Sequence, residues 1–261
     1  MPVPLETLET VACLGSSTTA AKGTYKWIDE LAKRPQNSRF RFVNFGVGGD
    51  LSFDLAGRLG PVLRTAPDRV IVLIGTNDIL ASAFPSFRRF TRVWKRPAQE
   101  PSPIHFKANL EAITQRLQQE TSAMIAVSSL APIGESLRSN DAVQSRLNEL
   151  VSAYNGVIRD VSRSSGAYYI PFYERFRDQL DRSPIDKPFT RFSFAGFYRD
   201  YLFREMILRR SFDEISQQNG WEFHIDGIHL NTRGGRILTE VVQQFLDSPS
   251  QEAAGPLGSR S

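Results

Sequence analysis

An apolar run, Val70-Ile71-Val72-Leu73-Ile74, ends abruptly at Gly75-Thr76-Asn77-Asp78. A strand that is apolar on both faces is typical of a parallel sheet covered by helices on each side. Four more apolar segments alternate with helical patterns, so we predict strands over residues 10–14, 40–45, 70–74, 123–130 and 167–170. This alternation predicts an α/β fold around a parallel sheet.

The helical patterns between and after these strands predict helices over residues 20–34, 52–64, 104–120, 144–164, 197–216 and 234–246. Two segments interrupt the alternation, at about residues 82–103 and 171–224. We interpret both as insertions into a single domain that covers residues 1–247. The remaining segment, 248–261, is small and polar, and we expect it to be disordered.

The composition is that of an ordinary soluble protein, with 261 residues, 41% hydrophobic and 23% charged. No apolar run approaches the roughly 20 residues of a membrane span. Residues 1–10 contain no basic residue and do not resemble a secretory signal, so we expect a cytoplasmic location. The single cysteine, Cys13, excludes an internal disulfide and is predicted to be a small core residue.

The net charge of +4 comes largely from one cluster, which contains Arg88, Arg89, Arg92, Lys95 and Arg96. Because no nucleic-acid-binding module accompanies this cluster, we expect no nucleic-acid partner.

Ser17 follows the first predicted strand in the segment Gly15-Ser16-Ser17-Thr18. A serine hydroxyl is a weak nucleophile and needs a base within hydrogen-bonding distance. The same residues are also an ordinary helix N-cap, so this segment alone leaves both interpretations open.

A candidate base lies near the C-terminus, in Asp226-Gly227-Ile228-His229. On a tight loop this spacing lets the carboxylate accept a hydrogen bond from Nδ1–H, which leaves Nε2 free to face the serine. The alternative is a solvated loop with a capping aspartate. The neighbouring glycine and isoleucines favour the first interpretation, and His224 and His105 are weaker candidate bases.

Asn77 and Gly49 are candidate donors to an oxyanion. Asn77 follows the apolar strand, and Gly49 lies in the glycine-rich segment 44–50 after the second strand. The carboxyl ends of parallel strands meet at one edge of the sheet, so both can converge on Ser17. A flexible loop or a phosphate cradle would also explain the glycines. The spacing does not match a dinucleotide-binding motif.

Taken in order, Gly15-Ser16-Ser17, Asn44…Gly49-Asp50, Gly75-Thr76-Asn77-Asp78 and Asp226-Gly-Ile-His229 resemble the sequence blocks of the SGNH (GDSL-type) hydrolases. The resemblance implies a flavodoxin-like three-layer α/β/α fold with a central five-stranded parallel sheet, and ester hydrolysis without a cofactor. It also implies site residues: Ser17 as nucleophile, His229 as base, Asp226 as its orienting residue, and an oxyanion hole of Ser17, Gly49 and Asn77.

The chain departs from the family at Ser16, where the family usually has aspartate. Ser16 can cap the same loop through its hydroxyl but cannot supply the charge. We predict no metal site, since no cluster of ligands has metal-site spacing.

The leading hypothesis is therefore a serine esterase that cleaves a small-molecule or lipid ester through an acyl-enzyme on Ser17. A thioesterase, a lysophospholipase and a carbohydrate deacetylase use the same chemistry and remain alternatives. From another class, a non-catalytic module that binds lipid or glycan is also considered. The oligomeric state is left open.

Aromatic residues in the two insertions are candidates for the substrate pocket: Phe87, Phe90, Trp94, Phe194 and Phe197. Those of the later insertion could equally form a small separate core. Around residues 86–96, apolar and basic side chains fall on opposite sides of a predicted helix. This helix could contact an anionic membrane surface or act as a lid, but we favour packing of its apolar face on the protein itself.

Overall fold

A computed structural model of the chain describes residues 8–97, 99–193, 207 and 209–249. Five parallel strands form one sheet in the order β2-β1-β3-β4-β5. They are β1 (Glu9–Gly15), β2 (Phe40–Gly46), β3 (Arg69–Leu73), β4 (Met124–Ser128) and β5 (Tyr168–Ile170). The predicted α/β fold and its flavodoxin-like strand order are confirmed.

Helices connect and flank the strands. In chain order they are α1 (Ser17–Ala20), α2 (Trp27–Ala32), α3 (Ser52–Gly57), α4 (Gly60–Leu63), α5 (Thr76–Ala83), α6 (Pro85–Trp94), α7 (Pro103–Glu120), α8 (Ala142–Ser165), α9 (Phe172–Leu180), α10 (Phe212–Asn219) and α11 (Thr232–Leu246). Helix α11 contacts α2 and α9 in one layer, and α7 contacts α3 and α8 in the other. The sheet lies between these two layers.

The core is centred on the two inner strands β1 and β3. Residues 11–14 of β1 are fully buried, and every residue of β3 is buried. Both strands are buried on both faces because helices cover each side of the sheet. Cys13 lies here as predicted, and burial raises the pKa of its thiol well above the ordinary value.

The register brings three strand ends together at one edge of the sheet. Gly15, the last residue of β1, pairs with Gly46 of β2 and Leu73 of β3. Helix α1 packs so closely here that a Cβ on Gly46 would lie 2.1 Å from the backbone nitrogen of Ala20. Glycine is therefore required for α1 to begin directly above the ends of β1 and β2.

Two predicted helices are broken in the structure. The helix predicted over residues 20–34 is divided into α1 and α2, because Ala21 adopts a left-handed conformation with φ 55° and ends α1. The helix predicted over residues 52–64 is divided into α3 and α4. Pro61, the second residue of α4, has no N–H with which to continue the hydrogen bonds of the preceding helix.

The helices predicted over residues 104–120, 144–164 and 234–246 are confirmed as α7, α8 and α11, and the helix expected near residues 86–96 is α6. Most of the helix predicted over residues 197–216 lies outside the described residues, since 194–206 and 208 are not described. Residues 250–261 of the predicted tail also lie outside them. Ser211 is the N-cap of helix α10 and forms a capping box with Glu214. Helices α5 and α9 were not predicted.

Candidate active site

Ser17 is the first residue of α1, directly beyond the end of β1. Its Oγ lies 3.1 Å from Nε2 of His229, although 212 residues separate the two in sequence. Ser17 is half-buried and His229 is 8% exposed. The hydroxyl and the imidazole thus share a hydrogen bond at the edge of the sheet, which is the geometry that activation of a serine requires.

Asp226 lies behind the imidazole of His229. Nδ1 of His229 donates to Oδ2 of Asp226 at 2.8 Å, while Oδ1 accepts from the backbone N–H groups of Ile228 and His229 at 3.0 and 2.8 Å. Burial raises the pKa of the Asp226 carboxyl, but the charge and hydrogen bonds of His229 outweigh burial, so the net pKa is lowered. The carboxylate is therefore ionised where it meets the ring.

The loop that carries His229 is attached to the segment just after α1. The hydroxyl of Thr24 accepts from the N–H of Leu230 at 3.0 Å, and the N–H of Tyr25 donates to the carbonyl of Leu230 at 2.9 Å. Asn231 then caps α11 by accepting from the N–H of Gly234. These contacts explain how residues at opposite ends of the chain are brought together.

Asn77 and Gly49 line the same cavity as Ser17. Asn77 lies in the first turn of α5, and its side-chain amide donates to the carbonyl of Asp50 at 2.9 Å. Gly49 adopts a left-handed conformation with φ 78°, which a residue with a Cβ rarely adopts. The structure thus brings both predicted oxyanion donors to the cavity wall.

The side chain of Asp50 is 2% exposed and forms ion pairs with two cationic side chains beside this wall. Arg58 Nε and Lys95 Nζ each donate to it at 2.6 Å. Arg58 also donates to the carbonyls of Phe45 and Gly15, at the ends of β2 and β1. Sequence reasoning missed Arg58, because an arginine near the end of a helical pattern is usually solvated and nothing local indicates that it contacts Asp50 and two strand ends.

Ser16 is the residue that departs from the family pattern. It is 5% exposed, whereas Ser17 faces His229 and the cavity. Its side chain makes no capping hydrogen bond to α1, so the expectation that Ser16 caps this loop is wrong. The geometry selects Ser17, and not Ser16, as the serine next to the imidazole.

Asp78 is a buried carboxyl group next to Asn77. It accepts hydrogen bonds from the N–H of Ser52 at 3.0 Å and from the hydroxyl of Ser52 at 2.7 Å. Burial raises the pKa of Asp78 to about 7, although the hydrogen bonds from Ser52 act in the opposite direction. Asp78 supports the start of α5 and does not line the cavity.

The cavity above Ser17 has a volume of about 300 Å³. Two cationic side chains, Lys22 and Lys95, lie at its wall. The apolar side chains of the lining are Ala20, Leu80, Phe87, Phe90, Phe192 and Ile228. An apolar cavity with a few polar groups at one point is typical of a small-molecule site.

The predicted pocket residues have different positions. Phe87 and Phe90 line the cavity. Trp94 is not among the lining residues; it is 73% exposed, and its ring lies 6.0 Å from that of Phe90. Trp94 occupies the last turn of α6, where the next residue, Lys95, reaches the cavity wall while Trp94 remains exposed to solvent. Phe194 and Phe197 lie outside the described residues.

Helix α6 is amphipathic as predicted, but its apolar face is buried at the start of the helix and exposed at its end. Phe87 is 4% exposed, whereas Val93 and Trp94 are 67% and 73% exposed. The expectation that the whole apolar face packs on the protein is therefore correct only for the first half of the helix. Part of the basic face is neutralised locally, since Arg92 pairs with Glu100 and Lys95 with Asp50.

The other two histidines lie away from the cavity. His224 is fully buried and contacts Glu135. His105 lies in the first turn of α7, where Nδ1 is 2.6 Å from the carbonyl of Glu100. His229 is thus the histidine that faces Ser17.

In the part of the chain that the structure describes, no group of three or more histidine, cysteine, aspartate or glutamate side chains could hold a metal ion. None of the helices in the same ranges combines the length and the apolarity of a membrane span.

A serine, an imidazole and a carboxylate joined in this order at the carboxyl edge of a parallel sheet are the arrangement of a serine hydrolase. The chain belongs to the GDSL-like Lipase/Acylhydrolase family, whose sequence profile matches residues 13–237. The matched region includes the serine, the imidazole and the carboxylate described above. The protein is accordingly a carboxylic ester hydrolase of the GDSL type.

A comparison with curated protein sequences finds no significant match. Among solved structures, the chain is similar to the acetyl xylan esterase AlAXEase, with a TM-score of 0.62 and 19% identity over 91% of this chain and 99% of the other. It is also similar to Axe2, an acetylxylan esterase from Geobacillus stearothermophilus, with a TM-score of 0.62 and 14% identity over 97% of each chain. LAE5, an alpha/beta hydrolase enzyme from the metagenome of Lake Arreo, Spain, has a TM-score of 0.59 and 18% identity over 90% of this chain and 94% of its own. At these identities the likeness shows a shared fold.

Proposed function

We propose that Ser17 is the nucleophile of this ester hydrolase, that His229 is its general base and that Asp226 orients the imidazole. The observation that supports these roles is the continuous hydrogen-bonded chain from Ser17 Oγ to His229 Nε2 at 3.1 Å and from His229 Nδ1 to Asp226 Oδ2 at 2.8 Å. Asp226 stabilises the imidazolium that forms when His229 accepts a proton.

In the first half of the reaction, Ser17 Oγ attacks the ester carbonyl carbon while His229 Nε2 takes the hydroxyl proton. Negative charge develops on the carbonyl oxygen, and the backbone N–H groups of Ser17 and Gly49 and the side-chain amide of Asn77 donate to it. One such donor is typically worth about 10²–10³ in turnover. His229 then gives its proton to the leaving alcohol as the C–O bond breaks, and the acyl group remains on Ser17.

In the second half, water attacks the acyl carbon and His229 takes a proton from it. The bond from the acyl carbon to Oγ breaks, Oγ recovers the proton from His229, and the carboxylic acid leaves. Because His229 performs every proton transfer, the cycle closes without a cofactor.

The cavity lining supports an ester whose acyl or aryl group is apolar, because phenylalanine, leucine and isoleucine side chains form most of the wall. A second candidate substrate is an acetylated carbohydrate. Its support is the three phenylalanine rings at the cavity, which can pack against a sugar ring, together with the fold shared with acetyl xylan esterases. A panel of 4-nitrophenyl esters from acetate to octanoate, tested beside acetylated xylo-oligosaccharide, separates the two. An acyl-binding cavity favours the longer chains, whereas a deacetylase accepts acetate alone.

Ser17→Ala tests the proposed roles, with Ser16→Ala as the matched control one residue away. We expect the kcat of Ser17→Ala to fall by about 10³-fold or more, because the acyl-enzyme cannot form. Ser16→Ala should keep most of the activity, and both variants should fold. Wild-type turnover by Ser17→Ala, or its loss only in Ser16→Ala, would overturn the assignment.

A further inference from the structure

Glu135 is a buried carboxylate that the proposed reaction does not use. It follows β4, and its side chain is fully buried. A buried carboxylate is costly unless hydrogen bonds replace the lost water. Among the residues that the structure describes, its donors come from one short segment, residues 222–224. The backbone N–H groups of Glu222, Phe223 and His224 donate at 2.8, 2.7 and 2.9 Å, and His224 Nδ1 lies 3.0 Å away.

The ring of His224 is placed to serve as the fourth donor. It is fully buried and packs 5.1 Å from the ring of Phe176. Within the described ranges its Nε2 has no hydrogen-bond partner. A proton on Nε2 would be a buried donor without an acceptor, which is costly, whereas a proton on Nδ1 is bound by Glu135. His224 and Glu135 thus form a buried imidazole–carboxylate pair.

The segment held by Glu135 leads directly into the catalytic loop. Asp226 and His229 follow His224 within five residues. The N–H of Ile225 donates to the carbonyl of His229 at 2.7 Å, and this hydrogen bond closes the loop between the two residues. Gly134, the residue before Glu135, donates its N–H to the carbonyl of Gly227 at 2.8 Å. Residues 134 and 135 therefore hold the loop at its beginning and at its tip.

We propose that Glu135 and His224 are positioning residues. They hold the loop that carries Asp226 and His229, and in this way they set the distance from His229 Nε2 to Ser17 Oγ. Neither residue lines the cavity or touches the reacting atoms. The inference rests on the proposed roles of Ser17 and His229. It matters for catalysis because a misplacement of about 1 Å in a catalytic group can cost about 10²-fold in rate.

Glu135→Gln is the direct test. Glutamine has nearly the same shape, but its NH₂ group would face backbone N–H donors, so at least one hydrogen bond to residues 222–224 is lost. We expect kcat to fall about 10- to 100-fold with KM changed by less than about twofold, measured on protein whose circular dichroism shows it to be fully folded. Labelling by a phosphonate ester should slow in parallel, because it depends on the same Ser17–His229 geometry.

Two variants at His224 keep the test decisive if Glu135→Gln does not fold. Asn Nδ2 can take the place of the ring Nδ1, so His224→Asn should keep kcat within about threefold of wild type. His224→Leu removes the donor and should lower kcat by about fivefold or more. Equal kcat for His224→Asn and His224→Leu would contradict a positioning role.

Glu9→Gln is the control for a purely structural ion pair. Glu9 pairs with the buried Arg69 at 3.1 Å, at the opposite end of the sheet. The Glu9→Gln substitution should lower the melting temperature and leave kcat unchanged. If Glu135→Gln behaves in the same way, with lower stability and wild-type kcat, the inference is overturned although the proposed function stands. If Ser17→Ala retains activity, the proposed function itself fails.

Discussion

Lys95 Nζ lies 2.6 Å from Asp50 Oδ1, and this contact joins the end of α6 to the loop that carries Gly49. The backbone carbonyl of Asp50 also accepts from the amide of Asn77. Asp50 therefore connects helix α6 to the two proposed oxyanion donors. Its side chain binds Lys95, its backbone carbonyl binds Asn77, and it follows Gly49 in the chain. Part of the basic cluster that stands out in the sequence is thus internal to the site.

Lys95→Met should lower kcat by about 3- to 10-fold with little change in KM. The methionine keeps the apolar stem but removes the charge, and Asp50 retains its ion pair with Arg58. The decrease is moderate because the remaining ion pair still compensates the buried carboxylate. Arg89→Met, on the exposed side of the same helix, is the control and should leave steady-state turnover unchanged. Equal kcat for the two variants would show that the contact with Asp50 does not support the site.

Asp78 should make the protein less stable as the pH rises from about 4 to 7. Burial raises its folded-state pKa from 3.8 to about 7, so the folded protein keeps a proton that the unfolded chain has already lost. The stability linked to this proton is fully present below the unfolded pKa and is lost as the pH approaches 7. Asp78→Asn cannot titrate, and its amide can still accept from the N–H of Ser52 and donate to its hydroxyl.

Urea unfolding at pH 5 and pH 8 measures this effect. The stability advantage of wild type over Asp78→Asn should shrink by about 3 kcal/mol between the two pH values. Asp226 does not contribute in this window, because its lowered pKa keeps it ionised in both states. Asp160→Asn, a substitution at an exposed carboxylate, should follow wild type at both pH values. A constant difference between wild type and Asp78→Asn would show that Asp78 is ionised throughout.

Phe90→Ala should shift the acyl-chain preference toward longer esters. Phe90 lines the cavity, and removal of its ring gives room for additional methylene groups, each worth about 0.8 kcal/mol when buried. The neighbouring Trp94 is 73% exposed and outside the cavity, so Trp94→Ala is the matched control. The measurement is kcat/KM over the ester panel. An unchanged preference in Phe90→Ala, or the same shift in Trp94→Ala, would argue against an acyl group at this wall.

Much of the fold could be predicted because the signals are local. Buried parallel strands are continuous apolar runs, and a long amphipathic helix such as α8 repeats its apolar residues over several turns. The breaks near Ala21 and Pro61 are harder to predict, since short helices with a left-handed or proline boundary leave the average periodicity unchanged. Helix α5 was missed because it begins within the polar motif that follows β3.

The catalytic candidates could be predicted for another reason: each lies at the end of an apolar strand or in a short motif with fixed spacing. Arg58 and Glu135 could not, because their partners are backbone atoms and side chains from distant segments. A buried charge is recognised by the groups that surround it, and these are assembled only when the chain folds. Trp94 shows the converse, since an amphipathic pattern does not tell how far along a helix the burial extends.

Mass spectrometry of the protein after reaction with a 4-nitrophenyl phosphonate ester identifies the nucleophile. We expect one phosphonyl group per chain, on Ser17, and labelling that is slowed strongly by His229→Ala. A phosphonyl group on Ser16 or on another residue, or labelling of Ser17 at an unchanged rate in His229→Ala, would contradict the proposed roles of Ser17 and His229.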